Sequence, residues 1–268
     1  MPENDLSGLL ETAHLAARQA GQLLLQKWRE PQEERRKGFR HWVTDADIAL
    51  QETITTIIRE RYPTHGFLAE EESSHLPAAG DAMWIIDPID GTTNFSRGQP
   101  NFCISIAAAR RDRMQIGVIF DPLRDELFSA SCHTAARLND DNIQVSDTED
   151  ASQVVIGFDW AHSPDDRQAT LNSLQSVGHA VRSLRSIGSA ALALAWVACG
   201  RLDAYWNWHL NAWDVAAGAL IVEQAGGRCT DIEQRPLAVS AAARSCLATN
   251  SALHSDLSLL LRKPPATR

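Results

Sequence analysis

Two carboxylates, Asp87 and Asp90, stand three residues apart in the run Trp84-Ile85-Ile86-Asp87-Pro88-Ile89-Asp90-Gly91-Thr92-Thr93-Asn94-Phe95. The apolar residues 83–86 before them predict a short buried strand, β-branched and bounded by Asp and Pro. Pro88 fixes the backbone between the two acids and removes a donor. Gly91 permits a tight turn, and two hydroxyls and an amide follow it. A buried strand ending in clustered carboxylates, with a free backbone carbonyl between them, suits a hard divalent cation, which takes oxygen ligands in fixed directions. The plain structural alternative is an Asp-Pro turn followed by an Asx turn.

Other acids hold comparable places. Glu70 ends an expected strand over residues 67–69 and can point into the same crevice as Asp87; a run such as Glu70-Glu71-Glu72 is otherwise a solvated face. Asp45 and Asp47 open a predicted helix over residues 46–62, where a cap and a first-turn acid suit the helix dipole. Asp214 begins a predicted helix over residues 215–225, as a capping carboxylate or as a ligand.

The elements that must position these acids follow from periodicity. Residues 6–28 read as a long amphipathic helix, and residues 31–37 as a polar loop. Strands are expected over 102–110, 115–121 and 126–131, joined by short turns, which indicates an α+β region. A strand over 154–158, a helix over 164–177 capped by Ser163 and a short strand over 180–184 come next. The helix over 191–199 is apolar all round, so it is expected to be deeply buried, and Gly200 stops it. A strand over 201–208, a strand over 246–249 and a helix over 251–261 complete the chain, with residues 263–268 as a disordered tail.

The whole chain sets limits on partners. Its 268 residues, 44% of them hydrophobic, allow one large unit or two tightly joined ones. A net charge of −9 argues against nucleic acid as a primary partner. It also means that an anionic substrate needs local positive charge, which bound metal supplies. The five cysteines are odd in number and lack C-x-x-C spacing, so they read as reduced thiols of a cytoplasmic protein. No apolar run reaches the ~18 residues of a membrane span, and the acidic start lacks the basic region of a signal peptide.

Three ordered segments resemble the inositol monophosphatase family of Mg-dependent, lithium-sensitive sugar-phosphate phosphatases. The first is Glu70-Glu71 after its strand, seventeen residues before Asp87. The second is the Trp84-to-Phe95 run, matching W-x-x-D-P-x-D-G-T-x-N-F. The third is Trp213-Asp214-Val215-Ala216-Ala217-Gly218 with Glu223-Gln224-Ala225-Gly226-Gly227. Val43-Thr44 with Asp47, and Gly188-Ser189-Ala190, also match. The resemblance covers essentially the whole chain.

That resemblance implies an α+β fold, a layered α-β-α-β-α sandwich of the inositol monophosphatase/fructose-1,6-bisphosphatase type. It implies a single unit over 1–268, with an N-terminal α+β half (about 1–145) and a C-terminal α/β half (about 146–262). It implies two or three Mg2+ per site. One is held by Glu70, Asp87 and the Ile89 carbonyl, a second by Asp87, Asp90 and Asp214, and a weaker third mainly through Glu70. Thr92 and Asp47 match the pair that orients and deprotonates the attacking water. The amides of Gly91 and Thr92 match the phosphate-binding groups, with Asp90, Gly188, Ser189 and Ala190 beside the substrate. Paired metals neutralise a phosphate monoester, acidify a water and stabilise the leaving oxygen. The implied substrate is a small phosphorylated polyol or sugar, most simply inositol-1-phosphate, and the implied assembly is a homodimer. Fructose-1,6-bisphosphate, histidinol phosphate and nucleotide 3′-phosphates are alternatives, as is a non-catalytic sugar-phosphate binder.

The chain departs from the pattern on the substrate side. Asn207 stands where many inositol-phosphate enzymes carry a Glu that binds ring hydroxyls. After the 154–158 strand the family often has Gly and Ser; here the residues are Asp159-Trp160-Ala161-His162. Trp160, Trp206 and Trp208 are therefore candidates for the pocket wall, the alternative being core or subunit-contact positions. His162 and His209 are candidates for contact with a second anionic group.

Overall fold

The computed structural model describes residues 3–28, 30, 35–38, 41–71, 82–237 and 244–262. Helix α1 (Glu3–Lys27) buries a stripe of Leu6, Leu9, Ala13, Ala17, Ala20 and Leu24 at helical spacing. It lies with α2 (Asp45–Arg61) on one face of a seven-stranded sheet. That sheet runs β3 (Gly66–Ala69), β4 (Ala82–Asp90), β5 (Cys103–Arg110), β6 (Arg113–Asp121), β7 (Glu126–Ser131), β8 (Arg137–Leu138) and β9 (Asp141–Asn142), in that spatial order. β3 pairs parallel with β4, and the other pairs are antiparallel. A separate hairpin joins β1 (Arg35–Gly38) to β2 (His41–Val43), so the loop expected over 31–37 is partly strand.

The opposite face of the large sheet carries α5 (Ala190–Ala198) and α6 (Ala212–Gln224). α5 is apolar all round and α6 largely so between Val215 and Val222, in keeping with a second sheet that covers their far side. Leu192, Leu194, Ala195 and Val197 of α5 have no exposed surface. The second sheet has the order β11 (Ser183–Ser186), β10 (Val155–Phe158), β12 (Ala204–Leu210), β14 (Arg244–Thr249), β13 (Arg228–Thr230). Its outer face packs on α4 (Pro164–Val177) and α7 (His254–Leu261). The result is the five-layer α-β-α-β-α sandwich. None of the described helices is long and apolar enough to cross a membrane.

Close approach between layers depends on Gly117 of β6. A Cβ there would stand 2.6 Å from the Ala217 carbonyl oxygen of α6 and 3.0 Å from its Cα. Backbone cannot yield as a side chain does, so Gly117→Ala is expected to destabilise the protein by about 1–3 kcal/mol through overpacking. A urea titration checks this; an unchanged midpoint would show that α6 sits less tightly on the sheet than described.

Several boundaries differ from the periodicity. The strand expected over 180–184 lies at β11, three residues later at its start, where it pairs in register with β10. The last helix starts at His254, because residues 251–253 form a turn. The helix expected from 215 begins at Ala212, which places Asp214 inside its first turn. The five-residue α3 (Thr92–Ser96) was not anticipated.

Trp206 and Trp208 correct the expected pocket wall. In β12 Ala204, Trp206 and Trp208 share the face turned toward α4 and α7, whereas Tyr205 and Asn207 face inward. Trp206 is fully buried and stacks on Phe158 at 5.2 Å between centroids. Trp208 donates its Nε1–H to Ser173 Oγ of α4 at 3.1 Å. Trp206 is a core residue of the outer layers, and Trp208 is half-buried against them.

Candidate active site

A β-bulge creates the centre of the site. Asp87 pairs with Ser105 and Asp90 with Cys103, so three steps on β4 match two on β5. In a regular strand residues three apart point to opposite faces. The extra residue brings both carboxylates to one side. Pro88, lacking an N–H, sits in the bulge where no ladder bond is demanded of it. The Asx turn is present as well: Ile89 N–H donates to Asp87 Oδ1 at 3.0 Å.

Two further elements deliver acids to that point. Glu70 follows β3, and its N–H donates to the Ile86 carbonyl at 3.2 Å. Gln51 of α2 clamps the next residue, donating to the Glu71 carbonyl at 3.2 Å and accepting its N–H at 3.0 Å. Asp214 is the third residue of α6 and accepts the Asn211 N–H at 2.7 Å, a capping box. It therefore is a capping carboxylate and also lies in the acid cluster. Ser105 Oγ donates to the Trp213 carbonyl at 3.2 Å, which ties that helix start to β5.

Asp87, Asp90 and Asp214 present carboxylate oxygens within 4.8 Å of one another. Burial and the negative charges of Glu70, Asp90 and Asp214 push Asp87 well above the usual carboxylate range. Burial, Asp90 and Glu70 do the same to Asp214. Asp90 rises only to about 6: burial raises it, but Ser189 Oγ at 2.7 Å and Ala191 N–H at 2.5 Å donate to its Oδ2. Buried acids that repel one another this strongly need either protons or a cation. All-oxygen donors at this spacing are the set that Mg2+ prefers. The residues fit a hard divalent ion.

Beside the cluster stands the pair anticipated from the sequence. Thr92 Oγ lies 3.0 Å from Asp47 Oδ1 and 3.1 Å from the Ile89 carbonyl oxygen, so its single proton has two acceptors in reach. Asp47 Oδ2 accepts the N–H and the hydroxyl of Thr44, both at 2.7 Å, which fixes the carboxylate as the capping-box member of α2. Burial pushes Asp47 up to about 6 despite those two donors. Gly91 adopts φ +100°, and a Cβ there would meet the Asn101 and Gly188 carbonyl oxygens at 2.9 and 3.0 Å. Only glycine fits that corner.

These groups line one cleft of about 380 Å³. Glu70, Asp87, Ile89, Asp90, Gly91, Thr92 and Asp214 form its floor, and Gly188, Ser189, Ala190, Asn207 and Trp160 its walls. Trp160 is 38% exposed, with the Arg167 guanidinium 4.9 Å from its ring centre. His162 also faces the cleft, whereas His209 Nδ1 pairs with Asp166 at 3.2 Å on α4. Sequence reasoning missed Asp159 and Tyr205 as wall residues. Asp159 directly follows a strand, the signal already used for Glu70, and Tyr205 shares a strand face with Asn207.

A family model described as the inositol monophosphatase family matches residues 5–263. An inositol-1-monophosphatase from Synechocystis sp. is 39% identical over 98% of this chain and 91% of its own length. A protein named Nus factor SuhB from Pseudomonas aeruginosa is 37% identical over 83% of this chain and 85% of its own. The crystal structure of extragenic suppressor protein suhB from Bartonella henselae superposes with a TM-score of 0.91 at 34% identity, covering 96% of this chain and 99% of that one. With a fold of five layers, an acid cluster at the β4 bulge and matches that run nearly end to end, the chain belongs to the inositol monophosphatase family.

Proposed function

We propose that this protein hydrolyses a small phosphate monoester, inositol-1-phosphate or a related polyol or sugar phosphate, with Mg2+ as cofactor. The observation that carries the reading is the convergence of Asp87, Asp90 and Asp214 within 4.8 Å, beside the hydrogen-bonded Thr92–Asp47 pair. Glu70, Asp87, Asp90, Asp214 and the Ile89 carbonyl would hold two or three ions. When bound, the ions supply charge neutralisation for the phosphate and the leaving oxygen and make water acidic. The chain's own residues do the rest. Thr92 Oγ accepts a hydrogen bond from the attacking water while donating to Asp47 Oδ1, so the proton can pass toward Asp47. Gly91 and Thr92 offer amides to the phosphate oxygens. Asn207, Trp160 and the 188–190 turn hold the leaving alcohol. Since positioning and electrostatics dominate phosphoryl transfer, this division of labour suffices.

The whole chain acts as one catalytic unit in this reading, because α5 and α6 are packed between its two large sheets. A homodimer and a cytoplasmic setting, the latter in keeping with its five free cysteines, belong to the same proposal. The test is inorganic phosphate release from a panel of inositol-1-phosphate, fructose-1,6-bisphosphate, histidinol phosphate and nucleotide 3′-phosphates, with and without Mg2+. Mg-dependent release from the inositol ester is expected. Absence of Mg-dependent release from every ester would sink the proposal. A second reading, favoured by relatives that bear the name Nus factor SuhB, is a non-catalytic binding role. Saturable binding of a sugar phosphate without turnover would select it.

A further inference from the structure

Asp159 is an acid with unusually complete surroundings. It follows β10, is 8% exposed and lies on the cleft wall. Its Oδ1 accepts the Gly188 N–H at 2.6 Å, the Ile187 N–H at 2.8 Å and the Ser186 hydroxyl at 3.2 Å. Its Oδ2 accepts the Tyr205 hydroxyl at 3.1 Å, and Asn207 Nδ2 lies 3.5 Å from that same hydroxyl. One carboxylate thus gathers the donors of a turn on one side and the inward face of β12 on the other.

The turn it holds is under demand. Gly188 adopts φ +78°, and Asn94 Nδ2 donates to the Ile187 carbonyl at 2.9 Å from the opposite side. Ser189 then caps α5 and donates to Asp90. Residues 186–189 are therefore pinned between Asn94, Asp90 and Asp159. Without Asp159 the Gly188 N–H would lose its acceptor and the Ile187 N–H would keep only a 3.4 Å contact with the Phe158 carbonyl, so a turn with a left-handed residue would lose its strongest backbone anchors.

We propose that Asp159 is a positioning residue that fixes the 186–189 turn, and through Tyr205 the orientation of Asn207, so that both surfaces meet the leaving alcohol of the substrate. This deepens, and rests on, the phosphatase reading above. The turn and Asn207 touch the alcohol in the ground state as much as in the transition state. Loss of their alignment is therefore expected in KM more than in kcat. A protein merely destabilised at this point would instead lose active fraction, lowering apparent kcat at constant KM.

The experiment compares Asp159→Ala, Asp159→Asn and Tyr205→Phe with the wild type. Asn keeps an oxygen for the three turn donors; Phe keeps them all and removes only the link to β12. Under saturating Mg2+, Asp159→Ala is expected to raise KM for the preferred ester by ~10-fold or more, the scale of lost alignment, with kcat within about twofold. Asp159→Asn should recover most of that loss, and Tyr205→Phe should fall between. Hydrogen exchange at the Gly188 amide should accelerate in Asp159→Ala and stay slow in Asp159→Asn. Unchanged KM in Asp159→Ala, or a fall in kcat alone, would overturn the proposal. If the wild type hydrolyses nothing, the phosphatase reading fails by itself. The same variants are then read by calorimetric binding of inositol-1-phosphate with Mg2+ and by exchange, where equal affinity and equal Gly188 protection in all four proteins would overturn the role of Asp159.

Discussion

Asp87→Asn is expected to abolish phosphate release and to leave the fold intact. Asp87 lies at the middle of the acid cluster: Glu70, Asp90 and Asp214 all raise its pKa by their charge, after burial itself. An amide in its place offers one oxygen and no charge. Several kcal/mol of electrostatic stabilisation then disappear from the reaction, a loss of roughly 10³-fold or more in kcat. Stability moves the other way. A carboxyl whose folded pKa lies above its unfolded value destabilises the fold once pH exceeds that unfolded value, as the folded state must give up a proton it holds tightly. At pH 7 without Mg2+, Asp87→Asn should therefore melt higher than the wild type. Adding Mg2+ should raise the melting temperature of the wild type but hardly that of the variant, since only the wild type gains by binding. Turnover near wild-type level in the variant would refute the assignment of the cluster.

Thr92→Ala keeps the acids and removes the hydroxyl between Ile89 and Asp47. Its kcat is expected to fall by ~10²–10⁴-fold, the scale of a lost positioned proton transfer. Divalent-ion affinity, followed by calorimetry, should remain close to the wild type, because the Thr92 side chain lies outside the carboxylate cluster. Thr92→Ser should restore most of the rate, since it returns an oxygen able to accept and donate. Asp47 gives the same step a pH signature. Burial raises it to about 6, and only its ionised form can take the proton, so kcat should decline as pH falls through that region. Collapse of ion affinity together with the rate in Thr92→Ala would show that the threonine serves the ions and not the water.

Local patterns made the α+β character and the candidate acids legible, whereas the five-layer order and the grouping of those acids into one site came through the family resemblance. The all-round apolarity of residues 191–199 already implied burial on both sides, and α5 has a sheet on each side of it. Glu70 could be found because it directly follows an expected strand, Asp87 and Asp90 because they follow the apolar run 83–86, and Asp214 because it opens a helix. The site's deeper geometry was not legible. Pro88 is compatible with a turn as well as with a bulge, so the sequence does not choose between them, and without the bulge the two acids would face apart. The walls were harder still. Trp206 and Asn207 were both assigned to the pocket, although neighbours on a strand point to opposite faces. The alternation of β12 excluded one of them, and burial shows that Trp206 is the one. The role of Asp159 does not show in the sequence because its partners Gly188 and Tyr205 are distant along the chain. The short α3, β8, β9 and β13 have too few residues to show a period.

An acid cluster that serves hydrolysis must first be a divalent-ion site. Anomalous diffraction from crystals grown with Mn2+, a spectroscopically visible substitute for Mg2+, tests that most directly. The predicted result is at least two anomalous peaks within coordination distance of Glu70, Asp87, Asp90 and Asp214 in the wild type, and loss or strong weakening of both peaks that share Asp87 in Asp87→Asn. Full occupancy of Mn2+ elsewhere on the protein, with no peak at these four acids, would contradict it.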